Sequence, residues 1–520
     1  MPSLDEAAFL FLKEMRMAQA GMMISILIYI GFMIYIGYRF SAKNSSAGDF
    51  FLGGRKLGPL VTAMSAEASD MSSYLLMGLP GLAYLSGSAD VGWTAIGLAA
   101  GTYINWLIVA KKLRRYTEKL DAITVPGFFS RRYHDEKNIL RAVAAVWIIV
   151  FFVPYTASGF AACGKLFASL FSIDYHAAMI FSAIVIILYT AMGGFLAAST
   201  TDLIQSVIMT AALLMILVYG VHCAGGIGAV IENANAIPGY LSMTMMHDPV
   251  SGAGLPYTPL TIVSTLAWGL GYFGMPHILL RFMAIEDENK IVLSRRIASV
   301  WVVISMGVSI LIGIAGSAVS ATGVIPALSG SKSETIIIAL SSLLASKGFI
   351  FALLAGLVLA GILASTMSTA DSQLLAASSS VASDLMENTF HIRIDKKRQL
   401  LISRITLAVI AVIAVFLAWD ADSSIFTIVS FAWGGFGASF GPAVLLALYW
   451  KRSNKWGTLA GMISGGVMIF VFKFLVRPLG GIFNIYELLP AFLISLCVNV
   501  IVSLLTPAPS KEITDEFESV

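Results

Sequence analysis

The sequence has little charge: only 12% of its 520 residues are Asp, Glu, Lys or Arg, whereas soluble proteins contain about 25%. Together with a hydrophobic content of 58%, this scarcity excludes an ordinary soluble globular protein. The formal net charge of +3 is too small to indicate nucleic-acid binding. We therefore expect a chain whose partner is the lipid bilayer, with no nucleic acid bound.

Cysteine and histidine are also scarce. The three cysteines, Cys163, Cys223 and Cys497, lie far apart in apolar stretches, and none of the six histidines has ligand spacing with another. This pattern indicates neither a disulfide framework nor a metal centre built from these residues. A phosphate-binding loop of the GxxxxGK[ST] type is absent, so ATP-driven pumping has no support and no organic cofactor is expected.

One string resembles a hydrolase motif. Residues 437–441 read GASFG, which fits the G-x-S-x-G pattern, but that motif requires a strand, a turn and a helix in a soluble sheet. In a glycine-rich apolar segment the same residues predict close helix packing. We predict that the protein is not an enzyme.

Long apolar runs dominate the chain, and each is long enough to cross about 30 Å of hydrocarbon. No cleavable signal peptide is predicted, because the first run follows a head of mixed charge. The ninth run is too long for one plain span, so we expect a short lead-in helix, a break near Lys347 and Gly348, and a long helix. The thirteen predicted segments are 20–40, 57–85, 91–110, 138–170, 175–192, 200–223, 258–284, 297–320, 335–385, 402–419, 424–449, 456–476 and 487–507.

The basic residues concentrate in alternate loops. One set contains Arg55, nine Lys or Arg residues between Lys111 and Arg141, and Arg281, whereas the stretch 222–257 on the opposite side contains none. Because basic loops stay in the cytoplasm, the N-terminus is predicted outside and the C-terminus inside.

Two segments cannot form uninterrupted helices. The stretch 57–85 contains Gly78, Pro80 and Gly81, and 258–284 contains WGLGYFGMPH; glycine weakens a helix and proline removes a backbone bond. They begin two five-helix units of opposite orientation, and paired breaks of this kind indicate a transporter's binding site. The predicted organisation is an extension with the first helix (1–45), a first repeat (46–223), an extracellular loop (224–257), a second repeat (258–450) and two peripheral helices with a tail (451–520).

Asp70 lies in the first of these segments, and a carboxylate at bilayer depth indicates a functional site. In one interpretation it pairs with a buried cation or hydroxyl and only fixes helix packing. In the other it organises an ion site, to which the freed carbonyls of Ala68 and Met71 contribute. Glu67 has three open interpretations: it lies at an aqueous vestibule, pairs with a basic group, or is a direct ligand.

Hydroxyl groups form a stripe in the ninth segment. Ser365, Ser368, Thr369 and Ser372 are spaced i, i+3, i+4 and i+7, which places them on one helical face. Such hydroxyls often bond their own backbone or join helices. Four on one face, with Asp371 nearby, favour cation coordination against the first interrupted helix.

Asp202 has two interpretations as well. It is either a carboxylate at a helix N-terminus, favoured by the helix dipole, or a station for an ion that leaves toward the cytoplasm. If it reaches Ser365 and Ser368, a second cation site becomes possible.

Aromatic residues flank the second break. Trp268, Tyr272 and Pro276 lie along it, and Tyr155 lies in FFVPYTASG. They are either core residues or the wall of a small, partly apolar substrate site, in which freed backbone amides hold a carboxylate.

Six strings now carry a family resemblance: DFFLGGRKLGP, SAEASDMSSYLLMGLPG, GWTAIGLAAGTYINW, WGLGYFGMPHILLRFMA, MSTADSQLL and FAWGGFGASFGP. They resemble the sodium:solute symporter family over residues 35–505, and within it the bacterial sodium/proline symporters. The resemblance implies an all-α membrane protein of about thirteen transmembrane helices. It also implies the leucine-transporter-type fold, with two inverted five-helix repeats and a discontinuous first helix in each.

The same resemblance implies roles for individual residues. The sodium site would comprise Ala68, Met71, Ser365, Ser368 and Thr369. Asp70 would organise that site, Arg55 would support coupling, and Asp202 would lie on the sodium exit path. The substrate site would comprise Ser72, Tyr74, Tyr155, Trp268, Tyr272 and Pro276. Glu67 stands where the resemblance leads us to expect a glycine, and Ser365 with Asp202 resembles members that bind two sodium ions.

The predicted function is sodium-coupled import of L-proline by alternating access across a bacterial cytoplasmic membrane, with Na⁺ as the coupling ion. An alternative is a sodium symporter of the same fold for another small amino or carboxylic solute or a sugar. More distant alternatives are a passive channel and a solute sensor.

Overall fold

The computed structural model describes residues 4–41, 51–171, 173–392 and 396–520, and these are almost entirely helical. The predicted boundary between residues 45 and 46 lies outside the described residues. The helices are α1 (Leu4–Ser41), α2 (Pro59–Ser73), α3 (Leu79–Ser86), α4 (Ser88–Ile104), α5 (Ala110–Lys119), α6 (Val125–Arg132), α7 (Ile139–Phe171), α8 (Tyr175–Cys223), α9 (Ile227–Ala236), α10 (Pro259–Leu266), α11 (Pro276–Ala284), α12 (Ile291–Ala321), α13 (Ile336–Ala345), α14 (Phe349–Ser379), α15 (Lys396–Leu417), α16 (Ile425–Tyr449), α17 (Lys455–Val471), α18 (Leu488–Leu505) and α19 (Lys511–Glu518).

Within the described residues, nine helices are long and apolar enough to cross a membrane, and two shorter apolar helices span Tyr175–Ala191 and Leu401–Leu417. The two interrupted helices complete the thirteen segments that the sequence predicts. The three largest differences from the predicted boundaries are these. Helix α1 begins at Leu4, well before the predicted start at residue 20. The helix predicted over 91–110 begins at Ser88 and continues through a π-helical turn to Lys119. Helix α8 joins the predicted segments 175–192 and 200–223 across a break at Gly194, where φ is 65°.

The first interruption separates α2 from α3. Ser72 has φ 48° and ψ −168°, a conformation that a residue with a Cβ rarely adopts. Its hydroxyl accepts a hydrogen bond from the Tyr74 amide at 3.1 Å, which partly compensates for the break. The chain then passes through a π-helical turn, Tyr74–Gly78, before α3 begins. The predicted interruption is confirmed.

The second interruption separates α10 from α11. Residues 267–274 form 3-10 turns, and Met275 is extended with φ −76° and ψ 108°. Pro276 is the first residue of α11, where its missing amide hydrogen costs nothing because that position has no acceptor in the helix. This interruption is confirmed as well, and it lies where the glycines and the proline predict it.

Glycines allow α4 to pack directly against the second interrupted helix. A Cβ on Gly101 would lie 2.4 Å from the carbonyl oxygen of Gly269, and one on Gly269 would lie 2.2 Å from that of Gly97. A Cβ on Gly271 would lie 2.0 Å from Nε1 of Trp433 in α16. Backbone therefore contacts backbone here, and no side chain fits between the two elements.

The ninth predicted segment has the expected three parts. It comprises α13, a break at Gly348 with φ 129°, and α14, which continues into π-helical turns over Ser380–Thr389. Helix α14 packs against α2 and α8, and Ser368 of its hydroxyl stripe contacts Ala68 near the first interruption.

The stretch 224–257 contains more structure than the predicted loop. It holds α9 and a hairpin of two short antiparallel strands, β1 (Met245–His247) and β2 (Gly254–Pro256). Tyr240 fixes this stretch to the junction of α3 and α4, because its hydroxyl donates to the Tyr84 carbonyl at 2.9 Å and its own carbonyl accepts from the Ser88 amide at 2.7 Å.

The glycine contact predicts the effect of one methyl group. Gly101→Ala should destabilise the protein by about 1–3 kcal/mol, since overpacking forces backbone shifts. The matched control is Gly307→Ala in α12, where a Cβ would meet nothing within 4 Å, and it should melt at or slightly above the wild-type temperature. Thermal unfolding of the two detergent-solubilised variants measures the difference; equal melting temperatures would contradict close packing at Gly101.

Candidate ion and solute site between the interrupted helices

Asp70 lies in the last turn of α2, just before the first interruption, and is buried. Its Oδ2 accepts a hydrogen bond from the Tyr272 hydroxyl at 2.5 Å, and its backbone carbonyl accepts one from the Tyr155 hydroxyl at 3.1 Å. Asp70 thus joins the two interruptions and α7. Among the described residues its Oδ1 has no hydrogen-bond partner. The Tyr272 hydroxyl alone does not offset the cost of burying a charged carboxylate.

The predicted sodium ligands lie where α2 meets α14. The Ser368 hydroxyl donates to the Ala68 carbonyl at 2.7 Å, which is a direct link between the two helices. Thr369 donates to the Ser365 carbonyl at 3.1 Å, and Ser365 donates to the Ile362 carbonyl at 2.8 Å. Each hydroxyl donates its hydrogen to backbone, so its oxygen lone pairs remain available for a cation.

Met71, the fifth predicted ligand, is buried beside the interruption, and its carbonyl accepts from the Tyr74 amide. A carbonyl oxygen has a second lone pair, so this contact leaves one for an ion.

Asp202 is held by an arginine that sequence reasoning assigned to a loop. Arg281 is not in a loop: it lies in α11 and is fully buried. Its Nη2 lies 3.1 Å from Oδ2 of Asp202, and the same oxygen accepts from Ser65 at 2.7 Å. Arg281 also donates to Ser372, the fourth member of the hydroxyl stripe, at 2.5 Å. The count of basic loop residues included Arg281 because the sequence does not show whether an arginine near the end of an apolar segment points outward or inward.

The position of Asp202 differs from the predicted helix start. It lies two turns after the Gly194 break, inside α8. Its partners are Ser65 and Arg281, while Ser365 and Ser368 donate elsewhere. A second sodium site at Asp202 stays a prediction.

The predicted substrate residues fall into two groups. Tyr74 and Trp268 stack with ring centroids 5.8 Å apart, and Trp268 also stacks on Tyr486 at 4.9 Å. Trp433 fixes the backbone here by donating to the Trp268 carbonyl at 2.7 Å. Tyr486 and Trp433 were missed, because an aromatic residue in an apolar segment carries no local signal of its partners.

Ser72 and Tyr155 belong to the second group. They line a narrow gap together with Thr369 and Gln373. Gln373 was also missed; it accepts a hydrogen bond from Thr156 at 3.0 Å, and its Nε2 has no partner in the described part of the chain. One free amide donor therefore lies in this gap, beside the predicted sodium ligand Thr369. Of the remaining predicted residues, Tyr272 holds Asp70 and Pro276 begins α11.

Arg55 lies outside the membrane-spanning helices and joins three segments. It donates to the carbonyls of Met283 at 2.6 Å, Thr117 at 3.0 Å and Ala122 at 2.7 Å. Burial lowers its pKa to about 10, with nearby Arg114 acting in the same direction, so Arg55 remains charged at neutral pH. It connects the end of α11 to the end of α5.

Glu67 is buried and one turn before Asp70. Its Oε1 accepts from the Trp106 indole at 3.1 Å, and its Oε2 has no partner among the described residues. This environment of Glu67 contains no aqueous vestibule and no described basic partner. It therefore does not match two of the three interpretations that the sequence left open.

Two interrupted helices joined at their breaks, with a buried carboxylate and a hydroxyl stripe between them, define a secondary active transporter. The family model for the sodium:solute symporter family matches residues 50–465. The chain belongs to this family.

Similar proteins with curated descriptions span nearly the whole chain. It is 40% identical to the osmoregulated proline transporter OpuE of Bacillus subtilis over 94% of this chain and 95% of that one. It is 40% identical to the high-affinity proline transporter PutP of the same organism, over 93% and 98%. It is 38% identical to a sodium/proline symporter of Staphylococcus aureus, over 96% and 95%.

Solved structures agree on the fold. A Na⁺-coupled sialic acid symporter in a substrate-bound outward-open state aligns with a TM-score of 0.76 at 18% identity, covering 94% of this chain and 99% of that one. Mhp1, a nucleobase-cation-symport-1 family transporter, aligns with a TM-score of 0.56 at 15% identity, over 92% and 99%. The predicted leucine-transporter-type fold is confirmed.

The buried ion pair predicts a non-additive effect on stability. Arg281→Gln should destabilise the solubilised protein by about 3–5 kcal/mol, because it leaves the Asp202 carboxylate buried without a cation. The double variant Arg281→Gln/Asp202→Asn should recover part of that loss. Thermal and denaturant unfolding measure both. Lys451→Gln is the control, since it breaks a single, exposed pair with Glu518 and should have no measurable effect. If the single and double variants lose equal stability, the two charges are not coupled.

Proposed function

We propose that this protein imports L-proline by sodium-coupled secondary active transport, with alternating access and no covalent chemistry. The observation that carries the proposal is the Asp70 carboxylate, which is buried at the first interruption and has Tyr272 as its one side-chain partner within the described residues. The names of the similar proteins, which are proline transporters and sodium/proline symporters, support proline as the solute.

The sodium site that we propose comprises Ala68, Met71, Ser365, Ser368 and Thr369, organised by Asp70. It joins α2 and α14 through oxygen atoms alone. An ion bound between two helices favours the conformation in which they are close, and it shifts the equilibrium only by its difference in affinity for the two states. Sodium binding therefore stabilises the conformation that receives the solute.

The free energy released by sodium entry is sufficient to concentrate proline inside the cell. Moving one charge through 100 mV releases about 2.3 kcal/mol, and a tenfold sodium gradient adds about 1.4 kcal/mol. One ion per proline thus sustains an accumulation on the order of several-hundred-fold, and two ions would square that factor.

The proposed solute site combines an apolar wall with polar groups. Tyr74 and Trp268 provide stacked rings suited to the pyrrolidine ring, and Ser72 and Tyr155 line the narrow gap beside Thr369. Amides freed by the second interruption, over residues 267–275, suit the carboxylate, with Tyr272 and Pro276 along the same segment. Another small amino or carboxylic solute or a sugar is the alternative within the same fold; a channel or a sensor would not need the sodium site.

We further propose that the N-terminus is outside and the C-terminus is in the cytoplasm of a bacterium, with the chain in its cytoplasmic membrane. The C-terminal helix α19 lies against the basic end of the molecule: Glu518 pairs with Lys451 at 2.9 Å, and Glu516 contacts His134 at 3.0 Å. This end also carries Arg55 and the helices α5 and α6, which are rich in Lys and Arg, as expected for a cytoplasmic face.

Uptake into proteoliposomes tests the proposal. Labelled L-proline should accumulate when an inward sodium gradient is imposed, should exceed equilibrium, and should cease when choline replaces sodium. A panel of unlabelled amino acids and sugars then competes with the label. Competition by another solute and none by proline would contradict the assigned substrate, and transport indifferent to sodium would contradict the coupling.

Removing the charge of Asp70 should weaken sodium activation. We expect Asp70→Asn to raise the sodium concentration for half-maximal uptake by about 10–100-fold, as loss of a residue that positions ligands does in other ion sites. The control is Asp248→Asn, in which an exposed loop carboxylate is changed, and its sodium curve should match the wild type. A wild-type sodium curve for Asp70→Asn would remove Asp70 from the ion site.

A further inference from the structure

Two buried carboxylates lie one helical turn apart on α2. Glu67 and Asp70 are spaced i, i+3, so their side chains are neighbours on one face, and they are 1% and 5% exposed. Two negative charges this close in a medium of low dielectric repel each other strongly. The arrangement requires a positive charge or the loss of one negative charge.

Within the described part of the chain, one of the two oxygens in each carboxylate accepts a hydrogen bond and the other does not. One oxygen of each accepts from an aromatic donor on another element: Trp106 donates to Oε1 of Glu67 at 3.1 Å, and Tyr272 donates to Oδ2 of Asp70 at 2.5 Å. The second oxygen of each, Oε2 and Oδ1, has no hydrogen-bond partner within the ranges that the structure describes.

The buried arginine nearby does not supply the missing charge. Arg281 directs its donors to Asp202, Ser65, Ser372 and the carbonyl of His277. The hydrogen bonds given above for Arg55 go to the carbonyls of Met283, Thr117 and Ala122. Neither Glu67 nor Asp70 forms an ion pair with a described basic side chain.

A neutral oxygen belongs to the same group. Asn105 precedes Trp106 in the chain, is fully buried, and donates its amide hydrogen to the Tyr272 carbonyl at 3.0 Å. That bond fixes which end of the side chain is nitrogen. Its Oδ1 has no partner among the described residues, so a third buried oxygen with free lone pairs adjoins the two residues that hold the carboxylates.

We propose that Glu67 and Asp70, with Oδ1 of Asn105, bind a second alkali cation, separate from the site at Ala68, Met71 and the stripe on α14. Hard oxygen ligands favour such an ion, and its charge offsets the repulsion between the carboxylates. The inference rests on the proposed function, which supplies sodium as the ion. With two ions per proline, the proposed symport would be driven by twice the charge.

Direct sodium binding to the purified protein tests the inference without transport. Labelled ²²Na⁺ is bound at equilibrium to the protein in nanodiscs, without proline, and the number of ions per protein is measured. We expect the isosteric variant Glu67→Gln to bind one ion fewer than the wild type and its sodium-binding curve to lose cooperativity.

Two further variants make the result specific. Asp384→Asn alters another buried carboxylate, which accepts from Thr124 at 2.8 Å, and it should bind as many ions as the wild type. Trp106→Phe removes the indole donor but keeps Glu67, so we expect an unchanged ion count with about 10–100-fold weaker binding of one ion. Sodium addition to Trp106→Phe and to the wild type also shows which part of the tryptophan fluorescence change comes from Trp106. Trp106→Phe keeps the test available if Glu67→Gln does not fold.

The outcomes separate this inference from the proposed function. If Glu67→Gln binds as many ions as the wild type with the same affinity, the second site is overturned while sodium-driven uptake stands. A loss of one ion in Asp384→Asn as well would also overturn it, because the effect would not be local. If the wild type binds no sodium and uptake ignores sodium, both the inference and the proposed function fail.

Discussion

The hydrogen bond from Tyr272 to Asp70 is the interaction on which the site depends, because it connects the two interruptions at the points where each helix has lost its own backbone bonds. A broken helix at bilayer depth is tolerated only where protein surrounds it. Here each break supplies part of the environment of the other, and Tyr155 closes the group by donating to the Asp70 carbonyl. The breaks thus support each other, and the proposed ion site lies where they meet.

The acidic groups around this point differ in how their charge is compensated. Asp202 has a permanent partner, since Arg281 lies 3.1 Å away and is buried with it. Among the described residues, the carboxylates of Asp70 and Glu67 accept hydrogen bonds from aromatic side chains alone. Arg281 links α11 to α8 through a side chain of the protein itself, whereas a bound ion could exchange with solvent. The structure therefore combines one buried charge pair with two buried carboxylates that form no ion pair with a described basic side chain; under the proposals above, it is the latter that would respond to a gradient.

Sequence reasoning succeeded where the signal is local. The second break lies at the glycines and the proline that predict it, whereas the first lies at Ser72, a few residues before Gly78 and Pro80. The stripe on α14 follows from helical periodicity, and Ser368 does contact the carbonyl of Ala68. It failed where the signal depends on contacts between distant segments. Nothing near Arg281 in the chain shows that its side chain points inward. Likewise, nothing near Trp106 identifies the distant carboxylate that it holds, and nothing near Gln373 identifies the distant residues that line the same gap. The roles of the predicted ligands remain predictions, although their placement is clear.

The contact of Gly97 and Gly101 with Gly269 has a consequence for how the molecule changes state. Two segments that touch through their main-chain atoms have no side-chain rotamers to rearrange and no gap to close between them, so they move as one rigid unit. Helix α4 and the 3-10 turns must then travel together during a transport cycle. Relative sliding belongs at the boundary between α2 and α14, where short hydroxyl groups can exchange one oxygen partner for another.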